Sequence, residues 1–370
     1  MKPPPEIVSY CVALLAAFTP SKLIAADGSS SAVESLPAAL NVPNPGPTND
    51  APYAPQPIVQ GGVVLPLYST DSAQLNQSRV REAEHYNMSR AVPGRINSIT
   101  NIHNPSIEVH TVDGGLNTGA AIILVAGGGH RTLNVGSESA DFVPFFYGYG
   151  VNTIILRNRL RADGYNVQSN AVNDAFQAIR LVRAHAKDWN IDPNKIGIMG
   201  FSAGAELAAP AALFFEDFEK RNNEGPLAGV SARPDFIALV YPGPTPFARG
   251  ATPAIPRNTP PAFIVCGGSG DRVHAIWADE YLNAMLKAGI PNVEMHIYGN
   301  ARHPGEQLSD GSRMAAGLAD RNGIPIGKWQ DRFIDWFRDL GFLQKPSIET
   351  KAAKDIAVFG GQTPRQGDKR

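Results

Sequence analysis

Cysteine is almost absent from this sequence of 370 residues, which contains only two. Cys11 lies in a candidate targeting segment, and removal of that segment would leave Cys266 without a partner. The fold is therefore expected to form without disulfide bonds. So few cysteines are compatible with a reducing compartment, and equally with a bacterial periplasm or exterior.

The sequence also lacks an excess of charge and a long hydrophobic run. Its formal net charge is −1, and Lys and Arg do not cluster anywhere along it. Nucleic-acid binding is disfavoured, because contacts with phosphates need Lys and Arg concentrated on one face. No apolar run reaches the roughly 20 residues that span a bilayer. We therefore predict neither a nucleic-acid partner nor a membrane span.

Motifs for metals and phosphates are absent as well. The sequence contains no H-E-x-x-H, no paired C-x-x-C and no acidic calcium loop. It contains no phosphate loop with its Lys, and no G-x-G-x-x-G after a strand. We therefore predict no metal and no cofactor, and expect chemistry carried by the protein's own side chains.

The two ends of the chain differ in composition from its middle. Residues 1–26 combine an early Lys, an apolar stretch and a pair of alanines, which is typical of a secretory signal peptide. The alternative is a disordered N-terminus of a cytoplasmic protein. Residues 27–60 are rich in Ser, Pro, Ala and Asn, which predicts a flexible lead-in, and residues 346–370 are predicted to form a flexible tail. Residues 61–345 are expected to form one folded domain of a secreted or periplasmic protein.

Short apolar runs alternate with helical patterns through the middle of the chain. Runs of this length, bounded by Gly or Pro, are typical of strands buried on both faces of a parallel sheet. Helices are predicted around 172–182, 203–218, 275–288 and 328–340. The alternation predicts right-handed crossovers and a doubly wound α/β sheet, with 107–110 as an antiparallel edge strand. The predicted buried strands are residues 120–126, 151–156, 195–199, 236–241, 262–266 and 293–298.

The pentapeptide Gly200-Phe201-Ser202-Ala203-Gly204 lies between a predicted strand and a predicted helix. A sharp turn in this context lifts a Ser hydroxyl above the sheet, and the glycines let the backbone turn tightly. The helix N-terminus presents free N–H groups to developing negative charge. Ser202 is therefore the candidate catalytic nucleophile. The alternative is a Gly-rich turn with a helix-capping Ser.

A second glycine-rich turn, AGGGH at residues 126–130, ends the first buried strand. Acyl transfer builds up an oxyanion, and N–H groups directed at it stabilise the transition state by roughly 3–4 kcal/mol per donor. In hydrolases with a G-x-S-x-G turn, such a loop precedes the nucleophile. The predicted oxyanion donors are the N–H groups of Gly128, Gly129 and Ala203, and His130 is predicted to line the substrate cleft.

Chain order predicts the partners of the nucleophile, because hydrolases of this kind run Ser, then Asp or Glu, then His. Asp271 follows the fifth buried strand in a Gly-rich loop, and His303 follows the sixth. We predict that His303 takes the proton of Ser202 and returns it to the leaving alcohol, while Asp271 orients the imidazole. His274 is too near Asp271 in sequence to be its expected partner, and His296 lies inside a strand.

These residues resemble the acetyl-xylan-esterase-like and feruloyl-esterase-like branch of the α/β hydrolases. The resemblance extends over residues 95–345 and is carried by VAGGGH, AVNDAFQAIRLVRAHAKDWNIDP and KIGIMGFSAGAELAA. It implies an eight-stranded, mostly parallel sheet, no cofactor, and hydrolysis of short acyl esters on plant polysaccharides. The chain departs from the family pattern at His130, where Tyr is usual, and in the segment that begins at Arg157. Both residues are predicted to border the substrate pocket.

The sequence leaves three functions open. The main hypothesis is a serine carboxylesterase that acts through an acyl-enzyme on a small-molecule or polysaccharide ester. The second is a serine peptidase of the same fold. Such peptidases often carry a large additional domain, and no segment of this sequence is predicted to form one. The third is a non-catalytic glycan-binding protein with a hydrolase-like fold. Absence of the candidate Ser or His would have favoured it, and both Ser202 and His303 are present.

Overall fold

A mostly parallel sheet forms the centre of the computed structural model, which describes residues 51–90, 92–305 and 328–362. The strands are β1 (Val63–Pro66), β2 (His85–Met88), β3 (Ile96–Thr100), β4 (Ser106–His110), β5 (Ala121–Val125), β6 (Asn152–Arg157), β7 (Ile196–Phe201), β8 (Ile237–Val240), β9 (Ala262–Gly267) and β10 (Glu294–Tyr298). The α-helices are α1 (Phe142–Tyr147), α2 (Val172–Ala184), α3 (Ala205–Ala211), α4 (Phe215–Arg221), α5 (Arg272–Lys287), α6 (Trp329–Asp339) and α7 (Lys351–Gly361).

Eight strands form one sheet in the order β1-β4-β6-β5-β7-β8-β9-β10, and β2 pairs with β3 in a separate ribbon. Neighbours from β6 to β10 are parallel, whereas β4 is antiparallel to both β1 and β6. The predicted eight-stranded, mostly parallel sheet is confirmed. The predicted antiparallel strand at 107–110 is present as β4, but it is not at the edge, because β1 pairs with its outer side.

Helices cover both faces of the sheet, which explains why its parallel strands are apolar along their whole length. Ile123 in β5 packs in a core layer with α2, α3 and α5, whereas Leu124 packs in the opposite layer with α1 and α6. Every residue of β5 to β9 is buried. A sheet covered on both faces needs such continuous apolar strands. The prediction of a doubly wound α/β architecture is confirmed.

The folded unit begins before residue 61. The N–H groups of Ile58 and Val59 donate to the two carboxylate oxygens of Glu108, at 2.6 and 2.9 Å. Tyr53 is buried as well. The prediction of a flexible lead-in over 27–60 is therefore wrong for its last residues, because a buried carboxylate in β4 binds their backbone.

α7 lies within the segment that the sequence predicts as a flexible tail. Thr350 caps its first turn by accepting a hydrogen bond from the N–H of Ala353 at 3.1 Å. Ala352 and Ile356, four residues apart, are buried. The tail prediction for 346–370 is therefore wrong over this helix, which is too short for its pattern to stand out in a polar segment.

Several predicted features lie outside the described residues. The predicted signal peptide, residues 1–26, is one of them, so a secreted or periplasmic location stays a prediction. Most of the loop after His303 is another. Among the helices that the structure describes, none has both the length and the hydrophobicity needed to cross a bilayer.

The loops that follow β5, β7, β9 and β10 leave the sheet at one edge, because these strands are parallel. Ligands of open α/β sheets bind at this carboxyl edge. The glycine loop, Ser202, Asp271 and His303 all follow these strands. The topology therefore brings four separate segments of the sequence to one place.

Candidate active site

Ser202 lies on the turn between β7 and α3 in a strained backbone conformation. Its φ of 49° is in the left-handed region, which residues other than glycine rarely adopt. The turn is tightly packed, since a Cβ on Gly200 would lie 2.5 Å from the Gly204 oxygen, and one on Gly204 would lie 2.1 Å from the Val125 oxygen. Both glycines of the motif are therefore required by close backbone contacts.

Ser202, His303 and Asp271 form a continuous series of hydrogen bonds. Ser202 Oγ lies 2.9 Å from His303 Nε2, and His303 Nδ1 lies 2.9 Å from Asp271 Oδ2. In this arrangement the imidazole can accept the hydroxyl proton while the carboxylate holds its other N–H. The structure thus brings together the three residues that the sequence predicts as catalytic.

Asp271 is buried, and two opposing effects act on its pKa. Burial alone would raise the pKa, because a charged carboxylate loses its hydration. Hydrogen bonds from His274 and His303 outweigh burial and hold the pKa of Asp271 below its ordinary value. Asp271 is therefore ionised at neutral pH, and it can fix the tautomer of His303 and stabilise its protonated form.

His274 is a second histidine on the same carboxylate. Its Nδ1 lies 2.5 Å from Asp271 Oδ1, and its ring stacks on that of His303 with the centroids 3.7 Å apart. Asp271 precedes α5 and His274 lies in its first turn, so residues three apart face each other. As predicted, His303 is the histidine that connects Asp271 to Ser202. His274 nevertheless also contacts Asp271, because its position three residues later on a helix brings the two side chains together.

Asp271, His274 and His303 are also the group, among the described residues, that could offer three ligand atoms to a metal ion. Imidazole lone pairs lie in the planes of the rings, and these rings are stacked at only 13° to each other. Two parallel rings cannot both direct a lone pair at one ion. Both Nδ1 atoms already contact Asp271, so the arrangement fits proton transfer better than metal binding.

The glycine loop after β5 lies against the nucleophile. A Cβ on Gly127 would lie 2.9 Å from Ser202 Cβ, so only glycine fits there. Gly128 and Gly129 have φ values of 128° and 63°. Within the part of the chain that the structure describes, their N–H groups donate to no protein acceptor. Together with Ala203, directly after the nucleophile, they stand where oxyanion donors are expected.

His130 follows these glycines and is buried against the helix that carries the nucleophile. Its Nε2 lies 3.3 Å from Glu206 Oε1. Glu206 is four residues after Ser202, which places it about one helical turn away. His130 therefore lies next to the site, and its contact with substrate stays a prediction.

Arg157, predicted to border the pocket, is instead fully buried below the N-terminal segment. Its guanidinium lies 3.2 Å from Glu108 and 3.7 Å from Glu84, and it donates to the carbonyl oxygen of Gln56. With no exposed surface, it is closed to a substrate. The prediction for Arg157 is wrong, because the partners that bury it come from segments without a recognisable motif.

Replacing Arg157 by Met is expected to lower the free energy of unfolding by about 3–5 kcal/mol, because the change leaves two buried carboxyls without their cation. Urea denaturation measures this. The control is Lys220→Met, which removes an exposed ion pair to Asp217 and should cost about 1 kcal/mol or less. Equal stability of the two variants would contradict a structural role for Arg157.

A buried carboxyl, Glu138, connects the glycine loop to the loop after β8. It accepts hydrogen bonds from the Gly127 N–H at 2.7 Å and from the Tyr241 O–H at 3.0 Å. The ring of Tyr241 packs edge-on against that of His303, with centroids 5.4 Å apart. Burial raises the pKa of Glu138 to about 7, against the effect of the two hydrogen bonds. No sequence motif marks either residue, and both were absent from the predicted site.

Comparison with known proteins finds similarity over the middle of the chain. Residues 110–241 match the BD-FAE family model. An acetylxylan esterase of Xylanibacter ruminicola is 32% identical over 125 residues, which is 34% of this chain and 23% of that protein. Endo-1,4-beta-xylanase B of Butyrivibrio fibrisolvens is 32% identical over 121 residues, 32% of this chain and 19% of that protein. The match thus spans about a fifth of the length of these curated relatives.

Solved structures of ester hydrolases are similar over most of the chain. The acetyl ester-xyloside bifunctional hydrolase from Caldicellulosiruptor lactoaceticus is 26% identical with a TM-score of 0.56, over 75% of this chain and 96% of that one. The carboxylesterase Cest-2923 from Lactobacillus plantarum WCFS1 shares the fold. It is 17% identical with a TM-score of 0.53, over 70% of this chain and 98% of that one. The chain therefore has the α/β-hydrolase fold, and its residues 110–241 are similar to the BD-FAE family.

Proposed function

We propose that this protein is a serine carboxylesterase that removes short acyl groups, acetyl or feruloyl, from carbohydrate through an acyl-enzyme. The observation that carries the proposal is the hydrogen-bonded series from Ser202 through His303 to Asp271, beside a glycine loop with free N–H groups. A nucleophile, a base hydrogen-bonded to it and an adjacent oxyanion site are the requirements of acyl transfer.

The proposed reaction has two halves. Ser202 Oγ attacks the ester carbonyl carbon while His303 Nε2 takes its proton, and the N–H groups of Gly128, Gly129 and Ala203 bind the oxyanion. His303 then protonates the departing alcohol oxygen, and the acyl group stays on Ser202. Water attacks this acyl-enzyme with His303 as base, which releases the acid and restores the serine.

A cleft beside the nucleophile helix supports a carbohydrate as the alcohol part. Its volume is about 540 Å³, and it opens next to Glu206, one helical turn from Ser202. Polar side chains and one aromatic ring are suited to sugar hydroxyls and ring faces. The matched acetylxylan esterase and acetyl ester-xyloside hydrolase support the same substrate class. The lining residues are Arg161, Gly164, Tyr165, Asn166, Val167, Gln168 and Glu206.

The proposal is tested by labelling the folded chain with a fluorophosphonate and then measuring acyl release. We expect one adduct, located at Ser202 by peptide mass, because a base-activated serine reacts with such probes. We also expect acetate from acetylated xylan or ferulate from feruloylated glycan, both lost after labelling. Aryl acetates serve as the positive control for the chemistry.

The same experiment separates the alternatives. A peptidase of this fold would be labelled but would cleave peptides and leave acetylated xylan intact. A glycan-binding protein would bind the polysaccharide without labelling and without acyl release. Either result would overturn the proposed function.

A further inference from the structure

Glu138 is a buried carboxyl that no step of the proposed reaction uses. Only 2% of its surface is exposed, in the turn that precedes α1. Burying a charged or polar group lowers stability unless its partners compensate, and Glu is rarely buried without them. We propose that Glu138 is a positioning residue that holds the oxyanion loop and the ring of His303 in their reactive places. This inference rests on the proposed function.

The first half of this role is at the glycine loop. Glu138 Oε2 accepts the Gly127 N–H, and the Gly127 oxygen accepts the N–H of Asn134 at 2.9 Å. Both polar groups of this peptide unit are therefore fixed, one residue before the expected donor Gly128. Gly127 also packs against Ser202. A shift of the Glu138 carboxyl would thus move the donors relative to the nucleophile.

The second half is at Tyr241. Its φ of 40° lies in the left-handed region, where a bulky residue is strained. Its N–H donates to the Val265 oxygen at 2.6 Å, and its O–H donates to Glu138 Oε1. With both ends held, the ring is fixed against His303. The same loop reaches the nucleophile, because the Gly243 N–H donates to the Ser202 oxygen at 2.9 Å.

A carboxylate suits these two contacts better than an amide. When ionised it has only acceptor atoms, and each oxygen of Glu138 then receives one donor, from Gly127 and from Tyr241. Gln has nearly the same size but offers one acceptor and one donor group. Glu138→Gln therefore keeps the volume and disturbs the geometry at one end of the connection.

For Glu138→Gln we expect kcat for an aryl acetate to fall by about 10- to 100-fold, the effect of a small misplacement of reacting groups. KM should change by about threefold or less, because the ground-state contacts remain. Affinity for phenylboronic acid, which forms a tetrahedral adduct on serine, should fall by the same factor as kcat/KM. Tyr241→Phe, which keeps the ring and removes only the hydroxyl, should give a smaller loss of the same kind.

Glu84→Gln is the matched control, since Glu84 is also buried and accepts a tyrosine hydroxyl, that of Tyr86, at 2.6 Å. It should lower the melting temperature and leave kcat per folded enzyme unchanged. The proposal is overturned if Glu138→Gln keeps its kcat, if boronate affinity is unchanged, or if Glu84→Gln shows the same kinetic loss.

Two further outcomes keep the proposals separate. If Glu138→Gln does not fold, Tyr241→Phe decides, and wild-type kcat in that variant overturns the role. If the wild-type chain hydrolyses no ester, the proposed function fails first. If the wild-type chain hydrolyses esters and Glu138→Gln has the same kcat, only the positioning role is overturned and the proposed function stands.

Discussion

Replacing Ser202 by Ala is expected to lower kcat for p-nitrophenyl acetate by about 10⁴- to 10⁶-fold, the range seen when a serine nucleophile is removed. The loss follows from the geometry, because Ser202 Oγ is the hydroxyl that, among the described residues, lies within hydrogen-bond distance of His303 Nε2. Ala keeps the Cβ and fits the same tight turn. The melting temperature should therefore stay close to that of the wild type.

The control for this change is Ser106→Ala, which removes the hydroxyl of a fully buried serine in β4. It should retain the wild-type kcat. Ser202→Ala with more than about a hundredth of the wild-type kcat would sink the assignment of the nucleophile, because direct attack by water is far slower than that. Binding of acetylated xylan by Ser202→Ala, measured by calorimetry, would show that its cleft is intact.

The sequence predicts those parts of the fold and site that depend on local patterns. The buried strands are continuous apolar runs because both faces of the sheet are covered, and the turn at Ser202 needs glycines within two residues of it. Asp271 and His303 were predictable from chain order, since each lies in the loop after a parallel strand. These features are encoded in short, contiguous stretches.

The remaining features depend on contacts between distant segments. Tyr241 and Glu138 are 103 residues apart in the sequence, and their hydrogen bond has no local pattern. The same is true of Arg157. The resemblance implied a place at the substrate pocket, but the segment at Gln56, 101 residues away in the sequence, covers this side chain. His274 is different, because its spacing from Asp271 at the start of a helix was visible in the sequence.

The two histidines on Asp271 are expected to differ greatly in importance. His303→Ala should lower kcat by about 10⁴- to 10⁶-fold, because His303, unlike His274, contacts both Ser202 and Asp271. His274→Ala should lower it by about 10- to 100-fold, equivalent to losing one hydrogen bond to a charged group, roughly 1.5–3 kcal/mol. Steady-state kinetics with an aryl acetate measure both effects.

The two histidines differ because His303 Nε2 can take the proton of Ser202, whereas His274 hydrogen-bonds to Asp271. His274 stacks on His303 and donates to the far oxygen of Asp271, so it orients the carboxylate without access to the nucleophile. Losing it also removes one of the hydrogen bonds that hold the pKa of Asp271 low, and that pKa should rise. His296→Ala, in β10, is the control for the loss of an imidazole and should keep its kcat. Equal inactivation by His274→Ala and His303→Ala would mean that both rings take part in proton transfer. That result would contradict the geometry, in which His303 alone of the two connects Asp271 to Ser202.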